Sequence, residues 1–142
     1  SMSKRRKVMV AMVTCLMAVM MLGGTVLAGT QYEHAFGIPA NGQKSWDAKG
    51  ARYRPATDVN DPWQVRMMIT TDPYDLVTIF WLEQDGLRYR VSGDVVVTHG
   101  PGFYFNNPYS TANKQMVLLT ARDNRTDNVS YWLGGQWLPS TW

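Results

Sequence analysis

The side chains best placed to do chemistry in this chain are two histidines, His34 and His99, set among eleven acids. Zinc takes three or four protein ligands, mostly His and Cys. The single cysteine, Cys15, lies in an apolar stretch near the start of the chain, far in sequence from both histidines. No ligand spacing joins the pair, so they read as two exposed loop histidines and no metal is expected. Ser92, Asp94 and His99 have the residue types of a hydrolytic triad. They lack the nucleophile elbow that presents a serine above a sheet. Glu83 and Asp85 could work as paired carboxylates, but their i, i+2 placement beside an Asp-Gly turn fits ordinary solvation. Gly100-Pro101-Gly102 is stiffened by its proline and opens no helix, so it does not cradle phosphate. No catalytic residue and no cofactor is assigned.

Two Asx-rich segments, Asp58–Asp61 and Asp123–Asp127, cluster oxygen ligands. Neither has the spacing of a calcium loop with its distal glutamate. Turns in which Asp and Asn cap their own backbone explain both.

Aromatics are the one excess. All six tryptophans and all seven tyrosines fall after residue 28. Tyr131, Trp132, Trp137 and Trp142 concentrate at the end of the chain and form the candidate ligand-binding strip. Two arrangements are open. The rings either fill the core, each covering about 150–250 Å², or line an exposed strip that stacks on sugar rings, since exposed aromatic patches mark interaction sites.

The elements that would carry these residues are strands. Trp63, Val65, Met67 and Ile69 alternate with Gln64, Arg66, Met68 and Thr70, the period of a half-buried strand. Leu76–Glu83 is an apolar, β-branched and aromatic run bounded by turn residues, the pattern of a central strand. Asp85-Gly86 predicts a hairpin with a return strand over Leu87–Val91. Further strands are expected at Gln31–Ile38, Val95–Thr98, Phe103–Phe105, Met116–Ala121 and Val129–Trp137, the last bent at Gly134-Gly135. Residues 39–56 read as a polar, partly mobile loop, and Ser110–Lys114 as a single helical turn. About seven short strands without an amphipathic helix predict an all-β antiparallel sandwich or small barrel.

The start of the chain is different in kind. Lys4, Arg5, Arg6 and Lys7 precede an apolar run, Val8–Leu22, and then Val26-Leu27-Ala28. That is the order of a secretory signal peptide, with cleavage expected after Ala28. The run of about 15 residues is shorter than the roughly 20 of a membrane span. Contact with a membrane is expected only through an uncleaved leader. Residues 1–28 then form the leader, 29–56 an N-terminal strand and polar loop, and 57–142 the sandwich core, with 29–142 one domain. Four bases and no acid belong to the leader. Of 14 Lys+Arg and 11 Asp+Glu, residues 29–142 keep ten bases against eleven acids, a net charge of −1. The basic balance belongs to the leader, and no nucleic-acid partner is expected. Cys15 also lies in the leader, so the domain must fold without a disulfide.

The segments ARYRPATDVNDPWQV (Ala51–Val65), TIFWLE (Thr78–Glu83) and YSTANKQMVLLTARDN (Tyr109–Asn124), followed by Tyr131-Trp132, resemble a family. It is a group of small secreted proteins of Gram-positive bacteria, the DUF2712 type, with no assigned function. Asp61 departs from the family pattern, which has asparagine before the proline. The resemblance implies a secreted all-β protein in a bacteriocin-associated context and carries over no active site. The chain is accordingly expected to be a secreted, non-enzymatic protein, a bacteriocin-like or cell-envelope interaction factor whose partner is an envelope component or another protein. The alternatives are a carbohydrate or cell-wall binding module using the terminal aromatics, and an enzyme with an unrecognised site.

Overall fold

Alternating side chains assemble two sheets around one apolar layer. The computed structural model describes residues 29–74 and 77–142, and the expected signal peptide, residues 1–28, lies outside them. Nine strands are described: β1 (Tyr32–Ile38), β2 (Ser45–Trp46), β3 (Arg52–Arg54), β4 (Trp63–Thr70), β5 (Val77–Gln84), β6 (Val95–Thr98), β7 (Tyr104–Asn106), β8 (Gln115–Asp123) and β9 (Tyr131–Leu138). A 3₁₀ turn at Ser110–Ala112 is the single helical turn expected there. The first sheet runs β1-β9-β4-β7. The second runs β2-β8-β5-β6, with β3 pairing β8 beyond β2. Every strand pairing in both sheets is antiparallel. The expected all-β sandwich is therefore the observed fold.

Between the sheets lie Phe36 and Ile38 of β1, Trp63, Val65 and Met67 of β4, Phe80 and Leu82 of β5, Val95 and Val97 of β6, Val117 and Leu119 of β8, and Leu133 and Trp137 of β9. Each follows the period of two expected of a strand with one face in the core. Trp63 and Trp137 are fully buried. Covering about 200 Å² of ring each, they supply up to about 5 kcal/mol apiece of hydrophobic stabilisation. That is the bulk a domain with no disulfide requires.

The sheets also meet at both sides. Met67 and His99 form a parallel bridge, and Gly100 N–H donates to the Met67 carbonyl at 2.9 Å. On the opposite side Asp47 N–H reaches the Leu119 carbonyl, and Ala48 N–H reaches that of Ala35. The Asp47 carboxylate accepts Ala35 N–H at 3.0 Å, which occupies the outer edge of β1. An edge so covered is a poor template for pairing with another chain.

Three local expectations are corrected. Residues 39–56 contain β2 and β3, both hydrogen-bonded to β8, rather than only a polar loop. Leu87–Val91 is not a return strand, for Arg88 adopts a left-handed backbone (φ 65°) and Arg90 makes only an isolated bridge to Glu83. The partner of β5 is instead β6. Gly134-Gly135 does not bend β9, which runs unbroken to Leu138. A Cβ on Gly135 would lie 1.9 Å from the Arg66 carbonyl oxygen and 2.8 Å from His34 Nε2, so the glycine answers close packing rather than a turn. The irregularity falls on the neighbour, where β4 bulges between Met67 and Ile69.

Candidate functional site

The four terminal aromatics do not form one strip. Residues 131, 133, 135 and 137 share the face of β9 that looks into the core, so Tyr131 and Trp137 are buried. The Tyr131 hydroxyl is hydrogen-bonded to Thr78 Oγ1 at 2.7 Å, and burial pushes the phenol's pKa up. Trp132 points to the opposite face, where its ring packs over Gly37; a Cβ there would come within 2.9 Å of it. Only Trp142 is largely open, at 68 % exposure. The even spacing of Tyr131 and Trp137 and the odd offset of Trp132 already separate them by face.

Trp142 nevertheless lines a site. It borders a cleft of about 240 Å³ together with Tyr32, Tyr53, Pro55, Pro139 and Ser140. The cleft is shaped by the ARYRPATDVNDPW segment. Alternation in β3 turns Tyr53 outward and Arg54 inward. Arg54 is completely buried, and its guanidinium donates to the carbonyls of Pro139, Asp61 and Asp58 and to Asn113 Oδ1. Burial lowers its pKa, with the Asp61 charge acting against that shift. Three loops are thereby fixed by one fork of donors. Asp61, also buried, accepts Thr141 N–H at 2.6 Å and Trp142 N–H at 3.4 Å. Gln64 Nε2 donates to Thr141 Oγ1 at 2.8 Å. Arg52 stacks over the Tyr32 ring at 4.6 Å on the inner side of the same strand. The open faces of Tyr53 and Trp142 thus stand on a rigid base.

A second cluster occupies the outer face of the second sheet. Glu83 of β5 points away from the core, yet it is only 2 % exposed. The indole N–H of Trp81 donates to its Oε2 at 2.9 Å and that of Trp46 to its Oε1 at 3.4 Å. Lys44 Nζ lies 3.0 Å from Oε2, and Arg88 Nη1 lies 4.0 Å from Oε1. The guanidinium of Arg88 rests on the Trp46 ring at 4.4 Å, and that of Arg90 on the Trp81 ring at the same separation. Arg90 also pairs with Asp94 at 2.5 Å. Tyr53 and Met116 are directly opposed on this face, as are Trp46 and Thr120. Four residues of β8, about 13 Å, therefore separate Tyr53, at one wall of the cleft, from Trp46.

The other sequence candidates are engaged elsewhere. His34 is not a loop residue: it is buried between Phe36 and Phe80, its Nε2 donates to the Arg66 carbonyl at 2.8 Å, and burial lowers its pKa to about 4. His99, which is exposed, donates from Nε2 to the carbonyl of Met68, the residue at the β4 bulge. Ser92 Oγ, buried, accepts Leu82 N–H and donates to the Gly93 carbonyl. With Asp94 held by Arg90, the three hydrolase-type residues each serve a different partner. Asp58 Oδ1 caps Asn60 N–H in an Asx turn. Near the second Asx segment, Arg125 binds Asp72 through both terminal nitrogens at 3.1 and 2.9 Å, and it also pairs with Asp123 and Asp127. A guanidinium from the chain itself fills the place among these carboxylates that a cation would take. Among the described residues no group of three or more His, Cys, Asp or Glu is arranged to hold a metal ion.

Sequence reasoning missed Tyr53, Trp46 and Arg54, and it read Glu83 as a solvated turn acid where the structure buries it. The strand register that exposes the first two depends on β2 and β3 joining β8, a pairing too short to show periodicity. In comparisons with known proteins, no family model, no curated protein and no solved structure matches this chain.

Proposed function

We propose that this chain is an exported, non-catalytic module that binds glycan at the cell envelope. The observation that carries the reading is the cleft in which the exposed rings of Tyr53 and Trp142 stand beside Tyr32, Pro55 and Pro139. Aromatic rings present a flat apolar face to the C–H surface of a sugar, and the buried Ser140 adds a polar group to the lining. The rings are held by buried hydrogen bonds through Arg54 and Asp61, so little ordering accompanies binding. The secretory order of residues 1–28 supports export. An enzymatic reading has less behind it, because Ser92, Asp94 and His99 hold separate partners. The bacteriocin-like reading rests on the export signal, the small size and the family resemblance, with no feature of the cleft in its favour.

Titration with chitohexaose, a neutral β-1,4-linked N-acetylhexosamine chain, tests the proposal through tryptophan fluorescence and calorimetry. Saturable binding is expected, weakened about tenfold or more in Trp142→Ala and Tyr53→Ala, the loss for one stacked ring of about 1.5 kcal/mol. Absence of binding to chitohexaose and to the acidic glycans named below sinks the reading.

A further inference from the structure

Resting on the glycan reading, we infer that the outer face of the second sheet carries a subsite, centred on Arg88 above Trp46, for an anionic substituent of the bound sugar chain. The ligand class is therefore an acidic glycan, bearing a carboxylate or a phosphate ester.

The donors around Glu83 are unevenly satisfied. Its Oε2 receives Trp81 Nε1 and Lys44 Nζ, and its Oε1 faces Trp46 Nε1. Arg88 comes no nearer than 4.0 Å to that carboxylate, beyond hydrogen-bonding distance. Among the described residues its guanidinium makes no hydrogen bond; Nη1 is turned inward toward Glu83, while the side chain as a whole keeps 37 % exposure. A guanidinium carries five N–H donors in a planar fork that matches paired anionic oxygens. Here the fork is held flat against an indole at 4.4 Å, with Lys44 Nζ 5.9 Å from the centre of the same ring.

The backbone adds an independent sign. Arg88 holds φ at 65°, a left-handed conformation that costs a side chain with a Cβ free energy relative to Gly or Asn. Arg88 N–H donates to the Gln84 carbonyl at 3.1 Å and Gln84 N–H to that of Tyr89 at 2.9 Å, which lock the turn in that shape. The strained turn delivers the guanidinium to the Trp46 face. Position completes the case. Tyr53, at one wall of the cleft, and Trp46 share the outer face of the second sheet, separated by about 13 Å of β8, the length of two to three sugar units. A chain stacked on Tyr53 and Trp142 can run across Met116 and bring a charged group to Arg88.

Three probes with one backbone decide the matter: neutral chitohexaose, glycan strands of peptidoglycan stripped of peptides by an amidase, and 6-O-phosphorylated chitohexaose. The stripped strands add a lactyl carboxylate on alternate sugars, and the third probe adds phosphate. The expected result is binding of at least one acidic probe about tenfold tighter than of chitohexaose, with the gain lost at high salt. Arg88→Gln should bring that probe to the neutral level. Arg88→Asn, which suits the left-handed backbone, should do the same while near-ultraviolet circular dichroism shows the fold intact at the assay temperature, and Arg88→Lys should restore part of the gain. Whichever acidic probe shows the Arg88-dependent gain identifies the anion. If neither exceeds chitohexaose, or if the gain survives both Arg88 variants, the subsite is refuted while glycan binding stands. If no probe binds, both proposals fall.

Discussion

The carboxylate of Asp61 accepts the backbone N–H of Thr141 at 2.6 Å, tying the loop before β4 to the segment that follows β9. Arg54 closes the same joint from below through the carbonyls of Asp61 and Pro139. One consequence is that the position of Trp142 depends on a residue remote from it in sequence. Asp61→Ala should cost about 1–3 kcal/mol, the range for leaving buried donors without their charged acceptor, and should weaken glycan binding as the tail loosens. Asp61→Asn keeps an oxygen at the accepting position and should lose less of both. Urea denaturation of the two variants, with fluorescence titration in parallel, checks the ordering. Equal losses would mean that the hydrogen bond does not set the tail.

Two buried groups near β1 respond to acid in opposite directions. His34 has its pKa lowered from 6.5 to about 4 by burial, with its hydrogen bond to the Arg66 carbonyl acting the other way. Between those values the unfolded chain holds the additional proton, so this group's contribution is whole above pH 6.5 and is lost as pH falls towards 4. Asp47 has its pKa raised from 3.8 to about 6, first by burial, against the pull of the Lys49 and Ala35 amides. Between 6 and 3.8 the folded chain holds the additional proton, and acid favours folding. The two effects nearly cancel. Asp47→Asn removes the compensating one, so its unfolding free energy in urea titration should drop more steeply than the parent's from pH 6.5 to 4, by a difference of up to about 3 kcal/mol. Parallel profiles would show that Asp47 titrates normally in the fold.

Gly135 is the tightest contact on β9. An alanine there must displace the Arg66 carbonyl, 1.9 Å from the added carbon, or the His34 ring. Both are fixed, one by the β4–β9 ladder and the other by Phe36 and Phe80. Gly135→Ala should therefore destabilise by about 3 kcal/mol or more. Gly93→Ala, with nothing within 4 Å of the new carbon, should be close to neutral. Thermal unfolding of the pair separates steric need from generic glycine effects.

The fold was legible wherever a strand is long enough to show its period. Trp63–Thr70 is one case, and the continuous run into Glu83 is another, because β5 lies between β8 and β6 and is covered on both faces. What escaped was short or set by distant partners. The three residues of β3 carry no period, and their assignment follows from their register on β8. The Asp-Gly turn was recognised, but a non-glycine left-handed residue two positions later was not, since Arg gives no local sign of it. That residue redirects the chain and leaves Leu87 at 84 % exposure where a strand would have covered it. Glu83 looked like a solvated turn acid. Its burial arises from Trp46, Lys44 and Arg88, which come from elements on either side of β5 in the sequence.

Glu83 itself gives a further prediction. Glu83→Gln keeps the volume and one acceptor but removes the charge between Lys44 and Arg88 and turns an amide group toward donors. A loss of about 1–3 kcal/mol is expected, with a change in the emission of Trp46 and Trp81. Lys44→Met removes one partner that is nearly half exposed, and should cost less than about 1 kcal/mol. If Glu83→Gln is as mild as Lys44→Met in urea titration, the buried carboxylate is not what orders this face.

The tryptophans of the last strand and tail divide the two roles that their sequence left open. Trp137 has no exposed surface and packs near Tyr32 at 6.5 Å between ring centres, so its truncation opens a cavity in the layer between the sheets. Trp137→Ala should lower stability by about 3–5 kcal/mol and should weaken glycan binding only through the fraction of protein unfolded. Trp142 buries little and holds its place through its backbone, so Trp142→Ala should change stability by no more than about 0.5 kcal/mol while losing glycan affinity. Binding must be measured at a temperature where Trp137→Ala remains folded, as judged by near-ultraviolet circular dichroism. A Trp142→Ala protein with unchanged affinity would return the terminal ring to the status of a surface residue and leave Tyr53 alone in the cleft. A Trp137→Ala protein that folds normally but no longer binds would move the site into the sandwich, against the direction in which every exposed ring of this cleft points.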